Sequence, residues 1–296
     1  MVPFLRWAGG KRWLAKKLSP ILRPILEERG GTYYEPFLGA GAMFFALTTK
    51  KSFLSDLNLN LIDTYKALRI NWFEVQLRMK HWQVDKETYY KVRALKPKDK
   101  FEKAARFIWL NRTCYGGLYR ENRNGQFNVP FGGGSRTPEV LYKNNLLKNA
   151  GDILRRNVTI IKSDFESILD QAQTDDVAYC DPTYSNVQRG QFDRYGANIF
   201  SWGDQIRLAM AAERAWSRGV TVVISNGYFD DLIPLYPNAY RIPQKKTKAI
   251  GNKSQNINNG HECLIILDPN KNRRKWKLLG QIENQRICNK KLNFSK

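Results

Sequence analysis

Asp181-Pro182-Thr183-Tyr184 is the segment whose residue types are best suited to chemistry. It follows the apolar run Val177–Cys180, which predicts a buried strand and places the tetrapeptide at the carboxyl edge of a sheet. The Asp181 carboxylate and the Pro182 carbonyl could each accept an N–H from a purine amine and direct its lone pair toward a methyl donor. Tyr184 could stack on the base, which must leave the double helix to reach such a pocket. A plain Asp-Pro turn is the alternative for the four residues alone.

A glycine turn with an acid downstream is the second constellation. Glu35-Pro36-Phe37-Leu38-Gly39-Ala40-Gly41 joins a predicted strand to a predicted helix, and its glycines allow a ligand to approach the backbone closely. Asp56 ends the next predicted strand, 21 residues after Glu35. An acid at that place grips the ribose diol in nucleotide-binding α/β folds. The pair favours a nucleoside-containing cofactor, whereas the turn alone could be a structural βα connection.

The chain is strongly basic, with 49 lysines and arginines, 27 aspartates and glutamates, and a formal net charge of +22. Such a surface favours a polyanionic partner and argues against an acidic scaffold or an enzyme of acidic small molecules. A solvated basic surface without a partner is the alternative. The segment 270–296 carries nine basic residues and one acidic residue, which is only part of the excess, so the folded body is itself basic.

The sequence lacks the features of membrane, secreted and metal-binding proteins. No run of 18 apolar residues exists, and the N-terminus lacks the apolar stretch of a signal peptide, so we expect no membrane partner. His81 and His261 lie far apart and the four cysteines lack metal-ligand spacing, so we expect no metal site. Scattered cysteines in apolar contexts indicate buried thiols in a reducing compartment, so we expect a cytoplasmic protein.

The elements that would position these groups follow the rhythm of a doubly wound α/β sheet. Strands are predicted at 32–37, 52–56, 158–162, Val177–Cys180, 220–225 and 263–267, and helices at 14–26, Ala42–Leu47 and 206–216. Pro20 and Pro24 are expected to limit the continuity of the first helix. We place one α/β domain at 1–56 and 151–269, and a basic appendage at 270–296.

The segment 57–150 breaks this rhythm and is predicted to be a helical insertion. Apolar residues recur at helical spacing at Leu57, Leu61, Tyr65, Leu68 and Trp72, and helical patterns follow at 88–94 and 101–110. Residues 111–131 then combine basic and aromatic side chains around Asn124-Gly125, the strongest short hairpin signal in a sequence. We therefore predict that the insertion carries one exposed β-hairpin.

Five blocks in one order resemble the Dam-type DNA adenine-N6 methyltransferases of enterobacteria and their phages. The blocks are Phe4-Leu5-Arg6-Trp7-Ala8-Gly9-Gly10-Lys11, Glu35-Pro36-Phe37-Leu38-Gly39-Ala40-Gly41, Ser55-Asp56-Leu57-Asn58, Gly125-Gln126-Phe127-Asn128-Val129-Pro130-Phe131-Gly132 and Asp181-Pro182-Thr183-Tyr184. The resemblance covers roughly residues 4 to 268. It implies a Rossmann-like methyltransferase fold, with S-adenosyl-L-methionine as cofactor and S-adenosyl-L-homocysteine as product. It also implies site-specific methylation of adenine N6 in double-stranded DNA, within GATC, and makes 57–150 a target-recognition domain.

The resemblance also assigns roles to individual positions. It implies that Asp181, Pro182 and Tyr184 are catalytic. The cofactor would be bound by Trp7, Lys11, Glu35, Phe37, Gly39, Gly41, Asp56, Asp164, Phe165 and Asp181. For Asp164 and Phe165 an equal alternative is a helix-capping acid before a core phenylalanine.

For DNA, the resemblance implies that Arg6 and Arg120 each contact a guanine, the base that a planar guanidinium favours. Leu118 would touch an apolar base edge with Pro130 nearby, and Tyr115 would fill the gap left by the flipped adenine. Phosphate contacts are implied for Arg112, Asn122 and Asn128. For each of these, an ordinary solvated hairpin residue is the alternative.

Two departures from the family pattern affect these assignments. Thr183 replaces the second proline of the tetrapeptide, although Pro182 keeps the acceptor carbonyl. Gly116 and Gly134-Ser135 stand where relatives often carry polar, aromatic or basic side chains, at positions that concern the intercalating and phosphate contacts and the target sequence.

We therefore expect a monomeric, adenine-specific DNA methyltransferase without an obligate protein partner. One rival is a catalytically silent DNA-binding protein that retains the fold. Another is a methyltransferase of RNA or protein amides, against which the acid at Asp181 and the predicted hairpin both argue.

Overall fold

The computed structural model describes residues 1–7, 9–122, 124–134, 137–183, 200–227, 230–244 and 262–281. A seven-stranded sheet lies at its centre. The strands are β1 (Tyr33–Glu35), β2 (Lys51–Asp56), β3 (Asn157–Lys162), β4 (Val177–Cys180), β5 (Thr221–Gly227), β6 (Tyr240–Gln244) and β7 (Glu262–Leu267). The α-helices of the described ranges are α1 (Arg12–Arg29), α2 (Ala42–Leu47), α3 (Leu59–Lys80), α4 (Lys86–Ala94), α5 (Lys100–Thr113), α6 (Glu139–Lys143), α7 (Leu146–Leu154), α8 (Phe165–Leu169), α9 (Trp202–Ser217) and α10 (Arg273–Trp276).

Parallel pairing brings the carboxyl ends of the central strands to one edge of the sheet. The order across the sheet is β3-β2-β1-β4-β5-β7-β6. β1 pairs in parallel with β2 and β4, and β5 continues in parallel beside β4. β7 runs antiparallel to both of its neighbours, β5 and β6, so the predicted mixed α/β sheet is confirmed. The winding reverses between β1 and β4, and ligands of open α/β sheets bind at such a switch point.

Apolar clusters cover both faces of the sheet. Along β1, Tyr33 belongs to the cluster that contains α1 and α2, whereas Tyr34 belongs to the cluster that contains α8 and α9. Side chains alternate between the faces of a strand, so a short strand can contribute to both clusters. The continuous apolar runs in β4 and β5 follow from this burial on two sides.

Helix α1 is continuous despite its two prolines, so the prediction that Pro20 and Pro24 limit it is wrong. A proline within a helix removes one backbone hydrogen bond, which destabilises an isolated helix. Here Leu14, Leu18 and Leu22 are buried along one face of α1. Tertiary packing of such a face supplies most of the stability of a helix in a protein and offsets the lost bond.

The segment between β2 and β3 is mainly helical, as predicted, and contains α3 to α7. Its apolar side chains share one cluster with α1 and α2, through Phe4, Phe45 and Tyr65 for example. The predicted boundary at residue 150 lies inside α7. These helices therefore pack directly on the α/β part of the chain and share its core.

A short antiparallel loop follows α5 and has the turn that Asn124-Gly125 predicts. The Asn122 N–H donates to the Gln126 carbonyl at 2.8 Å, and the Gly125 N–H donates to the Asn122 carbonyl at 2.9 Å. Gly125 adopts a φ of +70°, a conformation that glycine enters without strain. Among the described residues, isolated bridges pair Glu121 with Phe127 and, just outside the loop, Cys114 with Phe131. We call residues 115–130 the hairpin loop.

The strand β6 was missed by the sequence analysis because Pro243 interrupts its pattern. Proline is tolerated in an edge strand, where its missing N–H need not pair, and β6 ends the sheet. After β7, Trp276 of α10 is buried and donates from Nε1 to Asp268 at 2.9 Å, so the start of the appendage docks on the body. Within the described ranges we find no helix with the length and apolarity needed to cross a membrane.

Candidate active site

Asp181 lies directly after β4, at the carboxyl edge of the sheet. Its Oδ1 is 3.1 Å from Lys11 Nζ and accepts a hydrogen bond from Ser225 Oγ at 2.7 Å. The side chain keeps an exposed fraction of 22%, so it remains accessible from one side. Burial raises the pKa of the Asp181 carboxyl above its usual value, while Lys11 and Ser225 lower it. The arrangement presents an anchored carboxyl group at the switch point of the sheet.

Lys11 connects Asp181 to a second acid that the sequence analysis did not single out. Lys11 directly precedes α1 and is almost fully buried. Its Nζ donates to the Gly9 carbonyl at 3.0 Å and lies 3.7 Å from Glu262 Oε1 at the start of β7. An acid that opens an otherwise apolar strand was the available signal for Glu262. A buried lysine is stable when carboxylates surround it in this way.

The glycine turn and Asp56 are in direct contact. The Gly39 N–H donates to Asp56 Oδ2 at 3.0 Å, and the Asn58 N–H donates to Asp56 Oδ1 at 2.9 Å. Burial raises the pKa of the Asp56 carboxyl, and these backbone hydrogen bonds oppose the rise. These bonds bring together the turn and the acid that the sequence analysis paired.

Trp7 packs against the same turn. Gly39 has a φ of +46°, and a Cβ placed on it would lie 3.0 Å from Cδ1 of the Trp7 ring. The Trp7 ring also stacks on Tyr119 of the hairpin loop, with ring centroids 5.4 Å apart. Trp7 therefore connects the glycine turn to the hairpin loop, and the absence of a side chain on Gly39 makes its position possible.

Glu35 lies deeper in the fold than the other predicted cofactor residues. Its Oε2 accepts hydrogen bonds from Tyr33 Oη at 2.8 Å and from the Phe44 N–H of α2 at 2.9 Å. Burial raises the pKa of the Glu35 carboxyl to about 8, and the charge of Asp181 contributes to the rise. These bonds tie β1 to the first turn of α2.

Phe37 and Phe165 form an aromatic cluster beside the turn. Their rings stack with centroids 5.3 Å apart, and Phe200 contacts both of them. Asp164 caps α8 by accepting from the Glu166 N–H at 3.0 Å. It also lies 2.7 Å from Arg207, so the capping alternative describes at least part of its role.

The rest of the tetrapeptide is described only in part. Pro182 is buried and Thr183 is exposed. Tyr184, the predicted stacking residue, lies outside the described residues. The segment 270–296 is described only as far as residue 281.

Arg6 and Arg112 lie together where the first block meets the hairpin loop. The Asn111 side chain of α5 bonds both the N–H and the carbonyl of Arg6, each at 2.8 Å. Arg112 is 8% exposed, and its Nε has no hydrogen-bond partner among the described residues. Burial and the charges of Arg6 and Arg12 lower the pKa of Arg112 to about 10. Three neighbouring guanidinium groups would stabilise an anion at this point.

The other predicted DNA contacts are in the hairpin loop and mostly exposed. Tyr115 and Leu118 have exposed fractions of 64% and 43%. Arg120 donates from Nε to Asn128 Oδ1 at 2.8 Å. The Asn122 side chain accepts from two backbone N–H groups of its own turn. Pro130 is exposed at the base of the loop, and its carbonyl accepts from the Tyr115 N–H at 2.8 Å.

Comparison with known proteins identifies relatives along most of the chain. The type II methyltransferase M.MjaIII of Methanocaldococcus jannaschii is 34% identical over 287 residues, which cover 90% of this chain and 98% of the relative. The type II methyltransferase M1.LlaDCHI of Lactococcus lactis is 31% identical over 265 residues, 86% of this chain and 91% of the relative. A DNA adenine methylase of Vibrio cholerae is 31% identical over 274 residues, 90% of this chain and 96% of the relative.

The family described as D12 class N6 adenine-specific DNA methyltransferase matches residues 7–262. This range runs from Trp7 through the glycine turn and the tetrapeptide to Glu262, so it includes every part of the edge described above. The resemblance inferred from the five blocks is confirmed. The chain belongs to the D12 class of N6 adenine-specific DNA methyltransferases, and it is an enzyme that acts on DNA.

Proposed function

We propose that this methyltransferase transfers the methyl group of S-adenosyl-L-methionine to the N6 amine of an adenine flipped out of duplex DNA, within GATC. The observation that carries the proposal is the Lys11–Asp181 ion pair. It lies at the edge of the sheet where the glycine turn and Asp56 also meet, so an acceptor for an amine stands beside a nucleoside site.

The residues at this edge fit the proposed cofactor. Gly39 and Gly41 both have positive φ, and a Cβ on Gly39 would press on Trp7. Asp56 already accepts two backbone N–H bonds, but each carboxylate oxygen has a second lone pair that can accept from a ribose hydroxyl. When bound, the cofactor supplies an electrophilic methyl group on a sulfonium. The residues proposed to hold it are Trp7, Lys11, Glu35, Phe37, Gly39, Gly41, Asp56, Asp164, Phe165 and Asp181.

Asp181 acts as a hydrogen-bond acceptor in this proposal. Its carboxylate and the Pro182 carbonyl accept the two amine hydrogens, which localises the nitrogen lone pair for attack on the methyl carbon. The carboxylate need not remove a proton, because the methylated nitrogen is cationic and loses its proton to water. The amine can be bound in this way only while Asp181 is ionised, and Lys11 at 3.1 Å favours that state. Tyr184 is proposed to stack on the base.

The hairpin loop and the helices of 57–150 are proposed to recognise the target. Arg120 and Arg6 would each contact a guanine, and Tyr115 and Leu118 present exposed apolar surface to the bases. Arg112 is a strong candidate for a phosphate contact, because a buried guanidinium beside two others is stabilised by an anion. Asn122 and Asn128 would contribute polar contacts near the backbone of the DNA.

The proposal is tested by expressing the chain and its Asp181→Ala variant in cells whose DNA is otherwise unmethylated at adenine. Methylation-sensitive digestion of the DNA should show protection at GATC with the natural chain and none with the variant. The variant should still bind a GATC duplex at fixed salt, which would show that it retains DNA recognition. Protection at another sequence would overturn the GATC assignment alone.

The catalytically silent rival rests only on Thr183 in place of proline. Binding of DNA by the natural chain without cofactor-dependent transfer would favour it. Preferential methylation of RNA or a protein amide in a competition assay would favour the remaining rival.

A further inference from the structure

We propose that Ser225, supported by Tyr179, is a positioning residue that orients the Asp181 carboxylate for the adenine amine. The proposal rests on the proposed function, since it gives Asp181 the role of amine acceptor. Neither residue belongs to the five sequence blocks, and both are polar side chains buried beneath the edge of the sheet.

The pairing of β4 with β5 brings the three side chains together. Cys180 pairs with Ile224, so Asp181 and Ser225 follow at the same level on adjacent strands. Ser225 Oγ donates to Asp181 Oδ1 at 2.7 Å. Tyr179 is two residues before Asp181, which places the two side chains on one side of the strand. Its Oη lies 3.0 Å from Ser225 Oγ.

Counting hydrogens gives these bonds a direction. A serine hydroxyl has one hydrogen, and an ionised carboxylate can only accept. The hydrogen of Ser225 is therefore directed to Asp181, and the bond between Tyr179 and Ser225 must take its hydrogen from Tyr179. The result is a chain of donors from Tyr179 to Ser225 to Asp181. Each bond polarises the next, which strengthens the hold on the carboxylate.

The chain of donors acts on one oxygen of the carboxylate. Lys11 and Ser225 both contact Oδ1. No residue within the described ranges donates to Oδ2. Because the side chain is partly exposed, Oδ2 is left to accept from the adenine amine. Anchoring one oxygen by two donors restricts rotation of the group and holds the second oxygen at a fixed angle.

Lys11 alone does not provide this orientation. An ammonium group is a compact charge on a flexible chain, and its Nζ also contacts the Gly9 carbonyl and Glu262. Loss of the Ser225 hydroxyl would keep the charge of the site but release the carboxylate to rotate. The expected defect is therefore in the chemical step rather than in the binding of cofactor or DNA.

The test compares Ser225→Ala, Ser225→Cys and Tyr179→Phe in steady-state methylation of a GATC duplex. We expect kcat to fall about 10- to 100-fold in Ser225→Ala and nearly as far in Ser225→Cys, because a thiol fills the space but donates weakly. Tyr179→Phe should lower kcat less, by about 3- to 10-fold. KM for cofactor and for DNA should change by less than about twofold. Ser217→Ala, on the exposed end of α9, is the matched control.

A pH profile separates positioning from packing. The Ser225 bond lowers the pKa of Asp181, so its removal should raise that pKa and move the acid limb of kcat to higher pH. The other groups that face this carboxyl are Lys11, Glu262 and Glu35, from α1, β7 and β1, and Cys180 next to it on β4. None of these is altered in the variants.

Natural kcat in Ser225→Cys together with an unmoved acid limb would show that Ser225 only fills space, and would overturn the proposal. Should the Ser225 variants fail to fold, Tyr179→Phe carries the test, and natural kcat in that variant would likewise overturn it. Asp181→Ala keeps the two proposals distinguishable. Full methylation by Asp181→Ala sinks the proposed function, whereas its inactivity beside a fully active Ser225→Cys sinks the positioning role alone.

Discussion

Two regions of the molecule differ in where their polar side chains find partners. One is the carboxyl edge of the sheet at Asp181, and the other is the hairpin loop. At the edge, Lys11 and Ser225 reach Asp181 from distant parts of the chain and are buried. In the hairpin loop, Arg120 and Asn122 bond to residues within the loop and remain exposed.

The difference matches two kinds of task. A group that stabilises a transition state must be held in place before the substrate arrives. A group that reads a base edge must be free to exchange its bonds within the protein for bonds to DNA. We therefore expect substitutions at the edge to reduce stability and turnover, and substitutions in the loop to change the choice of sequence.

Removal of the buried cation should have the largest effect. Lys11→Met takes away the positive charge between Asp181 and Glu262. Breaking a buried ion pair on one side costs about 3–5 kcal/mol. Chemical denaturation should show a loss of that order in the free energy of unfolding, together with loss of methylation. Lys16→Met, an exposed position on the same helix, is the control and should change neither. An unchanged free energy of unfolding in Lys11→Met would contradict the comparison, because the buried contacts at the edge would then add no more stability than those of the loop.

Removal of a loop arginine should have a smaller and more selective effect. Arg120→Ala is expected to cost about 1–3 kcal/mol of DNA binding and to relax selectivity at one base pair. Binding to GATC and to single-base variants of it, at one salt concentration, measures both. The control is Arg156→Ala. Arg156 is exposed and directly precedes β3, at the amino end of that strand. Equal weakening on every duplex would reassign Arg120 to a phosphate contact.

A pair of glycine substitutions tests the smallest effect, which is local to the glycine turn. Gly39 and Gly30 both have positive φ, so alanine at either position costs about 1–2 kcal/mol of backbone strain. Gly39→Ala adds a contact with Trp7, whereas no atom of the described residues lies within 4 Å of a Cβ on Gly30. Calorimetric titration should show S-adenosyl-L-methionine binding weakened about 10-fold in Gly39→Ala and unchanged in Gly30→Ala. Equal affinities of the two variants for S-adenosyl-L-methionine would show that the glycine turn is not part of the cofactor site.

Local patterns predicted the elements of this fold well where they were strong. Helix α2 and strand β4 have the predicted bounds, because a glycine turn and a short apolar run mark their ends. Strand β6 was missed because Pro243 breaks its pattern, and its pairing with the neighbouring β7 is a tertiary contact that no local pattern marks. Helix α1 runs through Pro20 and Pro24 because its apolar face is buried.

The sequence also singled out Lys11, Asp56 and Asp181, because each lies in a block with a recognisable chemical role. Ser225 and Glu262 lie in no such block, and the local signal for Glu262 is only that an acid opens an otherwise apolar strand. A serine at the end of an apolar strand is usually structural, and its proximity to Asp181 follows from the register of β4 and β5. The cofactor, DNA and catalytic roles of the individual residues remain predictions.

Sequence alone determined the basic charge, the strands and helices that have strong local patterns, and the five blocks that indicated its family, because these depend on residue types and short spacings. Tertiary structure alone decided which oxygen of Asp181 is anchored, that Lys11 stands between two acids, and that Arg112 is buried beside Arg6. These contacts join residues that are tens to hundreds of positions apart. No local pattern encodes them, because they arise only when strands pair in register and helices close over the sheet.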